Sequence, residues 1–207
     1  MILNDLIGRF YGSRKSLEQV YNLSKRVEGL PGDLVELGIA MGSGIAAMKY
    51  ACPNKRVWGY DSFQGIHLAS KNDTEQPGLG EITHQATDLL QSSGVTVHKR
   101  EQVNEILFDI LKFKEDDFIL VEGWVQHTLP VIKPDKIALL RLDMDLHDPT
   151  LFALEQLWDR IVPKGILLID DGNLAGVVKA CDTFFKRIGY EPAWIRDKEN
   201  PFYLIKR

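Results

Sequence analysis

The most constraining feature of this chain is a set of short apolar runs, separated by segments with helical periodicity. The runs are LVELG, RVWGYD, DFILVEG, KIALLRLD and GILLID, and they are apolar almost throughout instead of alternating with polar residues. Such runs predict strands that are buried on both faces, and strands that alternate with helices predict an open, mostly parallel sheet. We therefore expect an α/β fold with a doubly wound, Rossmann-like sheet covered by helices on both sides.

The two ends of the chain carry different patterns. At the start, NDLIGRFYG and SLEQVYNLSKRV have apolar residues at helical spacing, and Ser16 is in position to cap the second helix. At the end, EPAWIRD and PFYLIKR have no helix between them, which predicts a C-terminal antiparallel hairpin. No linker or repeat divides the 207 residues, so we expect one domain, 1–207, with N-terminal helices in residues 1–30.

Residues 65–99 interrupt the alternation with a polar stretch rich in Gly, Ser, Asn and Thr. Within it, HQATDLL suggests a short helix, and the amphipathic helix EQVNEILFDILKF follows. A long segment without regular structure inside a compact domain is usually functional. We therefore predict that residues 65–99 form a lid over the strand ends, with His67, His84 and His98 exposed to solvent.

The composition excludes several classes of partner. The net charge of −4 leaves no basic footprint for nucleic acid. No apolar stretch approaches the roughly 20 residues that span a bilayer, and the N-terminus, amphipathic with Asp5 early, is unlike a secretory signal. Cys52 and Cys181 lack metal-ligand spacing, and free thiols suit a reducing compartment. We therefore expect a cytoplasmic protein that binds neither nucleic acid nor a membrane.

The first strand runs into a glycine-rich turn that holds Glu36, Gly38, Gly42 and Gly44. Glycines can serve a plain strand-to-helix turn, but this set also suits a ligand that approaches the backbone closely. The spacing departs from the G-x-G-x-x-G of dinucleotide sites and has the form E-x-G-x-x-x-G-x-G used by S-adenosylmethionine-dependent methyltransferases. Asp61, at the end of the second strand, can accept the ribose hydroxyls of either cofactor. The third strand ends in EGW, which we expect to border an adenine.

Carboxylates follow the fourth and fifth strands. RLDMDLHDPT places Asp143 and Asp145 two positions apart, so they face the same way if the strand continues. ILLIDDG adds Asp170 and Asp171 at the end of a strand that is expected to be a neighbour. Four adjacent carboxylates repel one another unless protons or a cation intervene. A hard divalent ion such as Mg²⁺ suits oxygen ligands, so we expect Asp143, Asp145 and Asp170 to be functional.

Other residues near these strand ends have structural explanations. Asp148 before Pro149 has the pattern of a helix N-cap, and Asp171 could cap the last helix. By alternation, Arg141 is expected to face opposite to the neighbours of Asp143 and to form a structural ion pair. His147 lies close enough to touch a substrate, yet a lone histidine beside a strand end is as often structural.

Five segments together carry a resemblance to one known family. They are, in order, PGDLVELGIAMGSG, VWGYDSFQGI, VEGWVQHTLP, LLRLDMDLHDPTLFAL and PKGILLIDDG. From Pro31 to Arg187 the chain resembles the macrocin O-methyltransferase family. The resemblance implies a class I methyltransferase fold. It also implies transfer of a methyl group from S-adenosylmethionine, with Mg²⁺, to a sugar hydroxyl of an antibiotic or related metabolite.

The resemblance also implies roles for individual residues. Asp143, Asp170 and Asp171 would bind the metal, and Asp145 would be the catalytic base. The cofactor would be bound by Glu36, Gly38, Ala40, Gly42, Gly44, Asp61, Ser62, Gly123 and Trp124. The chain departs from the family at Met144, where Gly is frequent, and at His147, where Tyr is frequent. Both positions border the acceptor pocket, so the resemblance does not identify the acceptor beyond a small hydroxylated molecule.

Two other functions stay open at this point. A nucleotide-dependent oxidoreductase uses a similar sheet, although hydride transfer needs no metal trio. A methyltransferase fold can also serve as a non-catalytic binding protein, because a fold alone does not determine function. The sequence does not settle the oligomeric state, and a homo-oligomer stays open.

Overall fold

The computed structural model describes residues 13–73, 90–196 and 202–207. Its strands are β1 (Asp33–Leu37), β2 (Val57–Asp61), β3 (Phe118–Glu122), β4 (Ile137–Leu142), β5 (Ile161–Ile169) and β6 (Phe202–Ile205). In the described part of the chain they form one sheet in the order β3-β2-β1-β4-β5-β6. The first five strands are parallel and β6 is antiparallel to β5. This confirms the predicted doubly wound, mostly parallel sheet.

The winding direction of the sheet changes between β1 and β4, which are neighbours although they are distant in the chain. Leu37 of β1 aligns with Leu142 of β4, and Leu142 aligns with Ile169 of β5. These three strands therefore end at one level, and the residues that follow them meet at the carboxyl edge of the sheet. Open α/β sheets bind their ligands at this switch point.

Helices cover both faces of the sheet. They are α1 (Arg14–Arg26), α2 (Ser43–Ala51), α3 (Arg100–Asn104), α4 (Val125–Thr128), α5 (His147–Leu157) and α6 (Ala175–Arg187). The first three pack on one face and the last three on the other, each against its own buried cluster. α3 continues as a π-helix over Glu105–Ile110, where the sequence predicted one regular helix. Among the residues described, no helix is both long and apolar enough to cross a bilayer.

The first described helix begins earlier than its sequence suggested. Its N-cap is Ser13, whose side chain accepts the N–H of Ser16 at 3.1 Å, so the prediction of Ser16 as the cap is wrong. The helix can start there because its first two residues, Arg14 and Lys15, are exposed and need no apolar partner. The upstream segment NDLIGRFYG lies outside the described residues.

The predicted lid segment is described on both sides of residues 74–89. The N–H of Ile66 donates to the carbonyl of Val95 at 2.9 Å, and the N–H of Ser93 donates to the carbonyl of Ile66 at 2.8 Å. The two described parts are therefore tied together at their base, and a 3-10 turn over Lys71–Asp73 ends the first of them. The segment HQATDLL falls outside the described residues except for its last leucine. The lid itself stays a prediction.

The C-terminal strand has a different partner from the one expected. β6 pairs with β5, with Ile166 opposite Ile205. Of the segment EPAWIRD, Ile195 pairs with Tyr203 as an isolated antiparallel bridge. The buried edge of β5 offers a longer apolar partner than this polar segment, which explains why the described hairpin is limited to one bridge.

Candidate active site

A cavity of about 880 Å³ opens at the carboxyl edge of the sheet. The ends of β1, β2 and β4, the loops that follow them and the first residues of α1 contribute to its walls. Its lining includes Glu36, Gly38, Ala40, Asp61, Ser62, Gly123, Trp124, Asp143, Asp145 and Asp170. Most of the positions predicted to serve cofactor, metal and base therefore surround one space. Gly42, Gly44 and Asp171 lie outside its lining.

The glycines after β1 allow close approaches that a side chain would block. Gly38 has a φ of +83°, and a Cβ there would lie 1.7 Å from the carbonyl oxygen of Asp143. Gly42 is the left-handed N-cap of α2, with a φ of 84°. A Cβ at Gly44 would lie 2.3 Å from both carboxylate oxygens of Glu36. Gly38 thus lets the β1 loop touch the β4 loop, while Gly42 and Gly44 shape the loop from outside the cavity.

Asp61 ties two loops of the cavity together. One of its carboxylate oxygens accepts the N–H of Ala40 at 2.9 Å, and the other accepts the N–H of Phe63 at 2.8 Å. Burial raises the pKa of this carboxyl, and the two backbone hydrogen bonds oppose that shift. Each oxygen keeps further accepting capacity. Asp61 is therefore a fixed hydrogen-bond acceptor in the cavity wall.

Arg141 lies at the centre of the acidic end of the cavity. It is 6% exposed and forms ion pairs with Glu36, with Asp143 at 2.9 Å and with Asp170 at 2.6 Å. Ser16 Oγ donates a further hydrogen bond to Asp170 at 3.3 Å. The ion pair expected of Arg141 is confirmed. Arg141 stands two positions from Asp143, a spacing that places side chains of extended backbone on the same side.

Three carboxylates converge beside this guanidinium. One oxygen each of Asp143, Asp170 and Asp171 lies within 4.8 Å of the others. Burial raises the pKa of Asp143 well above its ordinary value, although Arg141 opposes the shift. Burial and the neighbouring aspartates raise the pKa of Asp171 to about 7. Burial also raises the pKa of Glu36 to about 7. When ionised, the cluster therefore carries more negative charge than the single guanidinium of Arg141 can neutralise.

Asp145 is positioned by a loop, because β4 ends at Leu142 and does not continue as the alternation argument assumed. Its φ is +60°, in the left-handed region that Asp tolerates better than most residues. Its N–H donates to Oδ2 of Asp171 at 2.9 Å. Asp171 therefore holds Asp145 in place and does not cap α6, whose N-cap is Leu174. Burial, followed by the charge of Asp170, raises the pKa of Asp145 to about 6.

The N-terminus of α5 is capped from another part of the chain. The helix begins at His147, and Leu146 at the N-cap position makes no side-chain hydrogen bond, so the prediction of Asp148 as the cap is wrong. The N–H of His147 donates instead to Asp73 at 2.8 Å. The imidazole Nδ1 lies 2.6 Å from Oδ1 of Asp148. His147 is buried among these carboxylates and does not line the cavity.

An aromatic pair forms a further part of the cavity wall. The rings of His67 and Trp124 meet edge to face, with centroids 5.3 Å apart. His67 was expected to be solvated, but it is partly buried and lines the cavity because backbone hydrogen bonds hold its loop inward. Glu122, expected beside an adenine, is exposed outside the lining and pairs with Arg100 at 3.3 Å.

Two parts of the wall were missed by the sequence analysis. They comprise Ser13, Ser16 and Leu17 from the start of α1, and Arg196 and Phe202 near the C-terminus. Serine is common at the start of a helix because it caps the helix, so Ser13 and Ser16 carry no signal of a role in the cavity. Only the packing of α1 beside the end of β5 brings Ser16 to Asp170, and no local pattern signals that contact.

Comparisons with known proteins agree on one family. The family model for Macrocin-O-methyltransferase (TylF) matches residues 8–192. The 8-demethyl-8-(2,3-dimethoxy-alpha-L-rhamnosyl)-tetracenomycin-C 4'-O-methyltransferase of Streptomyces olivaceus is 34% identical over 169 residues, which cover 75% of this chain and 60% of that protein. The mycinamicin III 3''-O-methyltransferase of Micromonospora griseorubida is 29% identical over 186 residues, covering 84% and 70%.

A solved structure shows the same architecture. The O-methyltransferase NovP superposes with a TM-score of 0.76 at 25% identity, over 94% of this chain and 80% of that one. The chain thus spans most of NovP but about 60% of the length of the tetracenomycin enzyme.

Proposed function

The chain belongs to the macrocin-O-methyltransferase family, and we propose that it transfers a methyl group from S-adenosylmethionine to a hydroxyl oxygen, assisted by Mg²⁺. The proposed acceptor is a hydroxyl of a sugar or of another small natural-product-like metabolite. The tetracenomycin and mycinamicin relatives are named as O-methyltransferases of such compounds, which supports this class of acceptor.

The walls of the cavity support the proposed methyl donor. Gly38 and Ala40 bring backbone to the cavity on one side, and Asp61 presents a fixed acceptor that suits ribose hydroxyls. The volume of about 880 Å³ lies in the upper part of the range for small-molecule sites, so donor and acceptor have room together. Trp124 offers an aromatic face of the kind that packs against a purine.

The carboxylate cluster fits a hard divalent cation. The ligands Asp143, Asp170 and Asp171 supply oxygen atoms alone, which is the donor set Mg²⁺ prefers. Burial raises the pKa of Asp143 and Asp171, neighbouring carboxylates raise it further, and Arg141 opposes the shift, so the protein alone leaves these carboxylates poorly stabilised in their charged form. A cation bound there favours the deprotonated carboxylates. When bound, Mg²⁺ supplies Lewis acidity that lowers the pKa of a neighbouring hydroxyl.

Asp145 has the properties of a general base. Its pKa of about 6 keeps it mostly ionised at neutral pH while leaving it a better proton acceptor than an ordinary carboxylate. In the proposed step it takes the acceptor's hydroxyl proton as the oxygen–carbon bond forms and the carbon–sulfur bond breaks. For this displacement the cavity walls would have to hold the acceptor oxygen in line with the methyl carbon, because orientation of the two reactants can supply a large part of the rate gain.

One observation carries this proposal: a single cavity is lined by residues of the loop after β1, by Asp61 and by carboxylates after β4 and β5. They are Gly38, Ala40, Asp61, Asp143, Asp145 and Asp170. Calorimetry and thermal melting with S-adenosylhomocysteine test the donor, and NAD(H) serves as the control. We expect the first to bind and raise the Tm, as a ligand of the folded state must. If NAD(H) raised the Tm and S-adenosylhomocysteine did not, the oxidoreductase alternative would be favoured.

The acceptor is tested with a panel of sugar-containing metabolites. Incubation with S-adenosylmethionine and Mg²⁺ should yield a product heavier by one methylene unit together with S-adenosylhomocysteine. Binding of the donor without methylation of any hydroxylated compound in a broad panel would favour the non-catalytic alternative.

A further inference from the structure

Asp73 is a buried carboxylate that reaches α5 from the segment after β2. Its side chain is 1% exposed, although it comes from a polar stretch of the chain. One oxygen accepts the N–H of His147 at 2.8 Å. The other accepts the N–H and the hydroxyl of Ser70, at 3.0 and 3.1 Å. A carboxylate with three donors at the positive end of a helix is well stabilised, so it can form a persistent contact without a cationic partner.

The loop between β4 and α5 is therefore held by carboxylates at both ends. Asp171 accepts the N–H of Asp145 at 2.9 Å, and Asp73 accepts the N–H of His147 two residues later. Between them, the N–H of Leu146 donates to the carbonyl of Met144 at 2.7 Å, which closes a tight turn. The left-handed backbone of Asp145 is unfavourable for most side chains and persists only where the surroundings hold it.

We propose that Asp73 is a positioning residue, which fixes the loop that carries Asp145 by capping α5 from the segment after β2. The proposal rests on the proposed function for the role of Asp145 as base, but the contact itself is independent of that role.

A neighbouring contact offers a matched control. Asn72 lies in the same turn, where its amide donates to Asp148 at 3.2 Å and accepts from Lys179 at 2.8 Å. Asn72→Ala removes the hydrogen bonds of Asn72 to Asp148 in α5 and to Lys179 in α6. It keeps the carboxylate of Asp73, which accepts the N–H of His147. If docking of the turn mattered only for general stability, this variant and Asp73→Ala would behave alike.

The test is amide exchange by NMR in the full-length protein. Asp73→Ala should accelerate exchange at His147 and Asp145 by about tenfold, the worth of one helix cap. The amide of Leu140, in the middle of β4, should keep its wild-type rate and thereby report that the sheet is intact. Asp73→Asn retains one oxygen acceptor and should restore much of the protection at His147. Asn72→Ala should leave both loop amides at wild-type rates.

Three results would overturn the proposal. They are unchanged exchange at His147 in Asp73→Ala, equal acceleration at Leu140, and the same local effect in Asn72→Ala. S-adenosylhomocysteine is titrated into each variant in parallel. Failure of the wild-type protein to bind it would count against the proposed function and leave the amide result standing. We expect Asp73→Ala to bind it within about twofold of wild type, because neither Asp73 nor His147 lines the cavity. A larger loss would show that Asp73 serves the cofactor site instead.

Discussion

Replacing Arg141 with Met removes a buried positive charge while keeping much of the side-chain volume. Glu36, Asp143 and Asp170 then lose their shared partner in a site where Arg141 is 6% exposed. Removing one partner of a buried ion pair costs about 3–5 kcal/mol. Because three carboxylates depend on this guanidinium, we expect the upper end of that range at pH 8. Such a loss is a large part of the roughly 5–15 kcal/mol that stabilises a domain.

The loss should be smaller at pH 6. A carboxyl whose pKa is raised by folding binds more protons in the folded than in the unfolded state between its two pKa values, so stability falls as pH rises through that window. For Glu36 the window runs from 4.5 to about 7 with Arg141 in place. Without the guanidinium the folded pKa moves higher, and the window extends further. At lower pH, protons neutralise the carboxylates that Arg141 has left unpaired.

Urea unfolding followed by tryptophan fluorescence measures the free energy of unfolding of wild type and Arg141→Met. The measurements are made at pH 6 and pH 8, each with EDTA or with Mg²⁺. Arg187→Met is the control, because Arg187 and Glu155 form an exposed pair at 2.7 Å whose loss should cost no more than about 1 kcal/mol at either pH. Mg²⁺ should restore part of the stability of Arg141→Met at pH 8. Equal losses in the two variants, or a loss at position 141 that does not change with pH, would refute the charge argument.

Other changes separate donor, base and fold. Asp145→Asn keeps the shape but removes the basic group, so turnover of a sugar acceptor should fall by roughly 10²–10⁴, while calorimetry should find S-adenosylhomocysteine and Mg²⁺ affinities nearly intact. Recovery of that variant at high Mg²⁺ would make Asp145 a ligand instead. Asp61→Ala removes the acceptor that braces two loops and should weaken S-adenosylhomocysteine binding at least tenfold in the same titration; unchanged affinity would remove it from the donor site. Gly44→Ala places a methyl group against the Glu36 carboxylate, 2.3 Å from its oxygens, and should cost about 1–3 kcal/mol in urea unfolding. A neutral result there would mean that the carboxylate can shift.

The mostly parallel sheet and the gathering of the carboxylates after β4 and β5 followed from local sequence. Apolar runs reveal buried strands without any knowledge of their partners. In a parallel sheet, all strand ends that precede helices lie at one edge. Residues that directly follow such strands therefore lie close together, whatever the details of the loops. For this reason the sequence alone predicts that the carboxylates form one cluster.

Contacts between distant segments could not be predicted in this way. Asp73 caps α5 from 74 positions away in the sequence, whereas the local pattern points to Asp148, which does not cap the helix. The ion pair of Arg141 was expected, but its partners could not be named from the sequence for a different reason. Its pairing depends on Glu36 of the adjacent strand, and strand adjacency at a switch point is a tertiary property. Ser16 likewise reaches Asp170 only through helix packing.

The contact between Gly38 and the carbonyl of Asp143 bears on how enzymes of this architecture can diverge. A Cβ at position 38 would lie 1.7 Å from that oxygen, so a larger residue must push the β1 and β4 loops apart. In the proposed function the β1 loop lies on the donor side of the cavity and the β4 loop on the acceptor side, so the contact between their backbones would set the distance over which the methyl group is transferred. Acceptor preference can change at Met144, which lines the cavity, without disturbing that separation. A substitution at position 38 would instead alter methyl transfer to every acceptor.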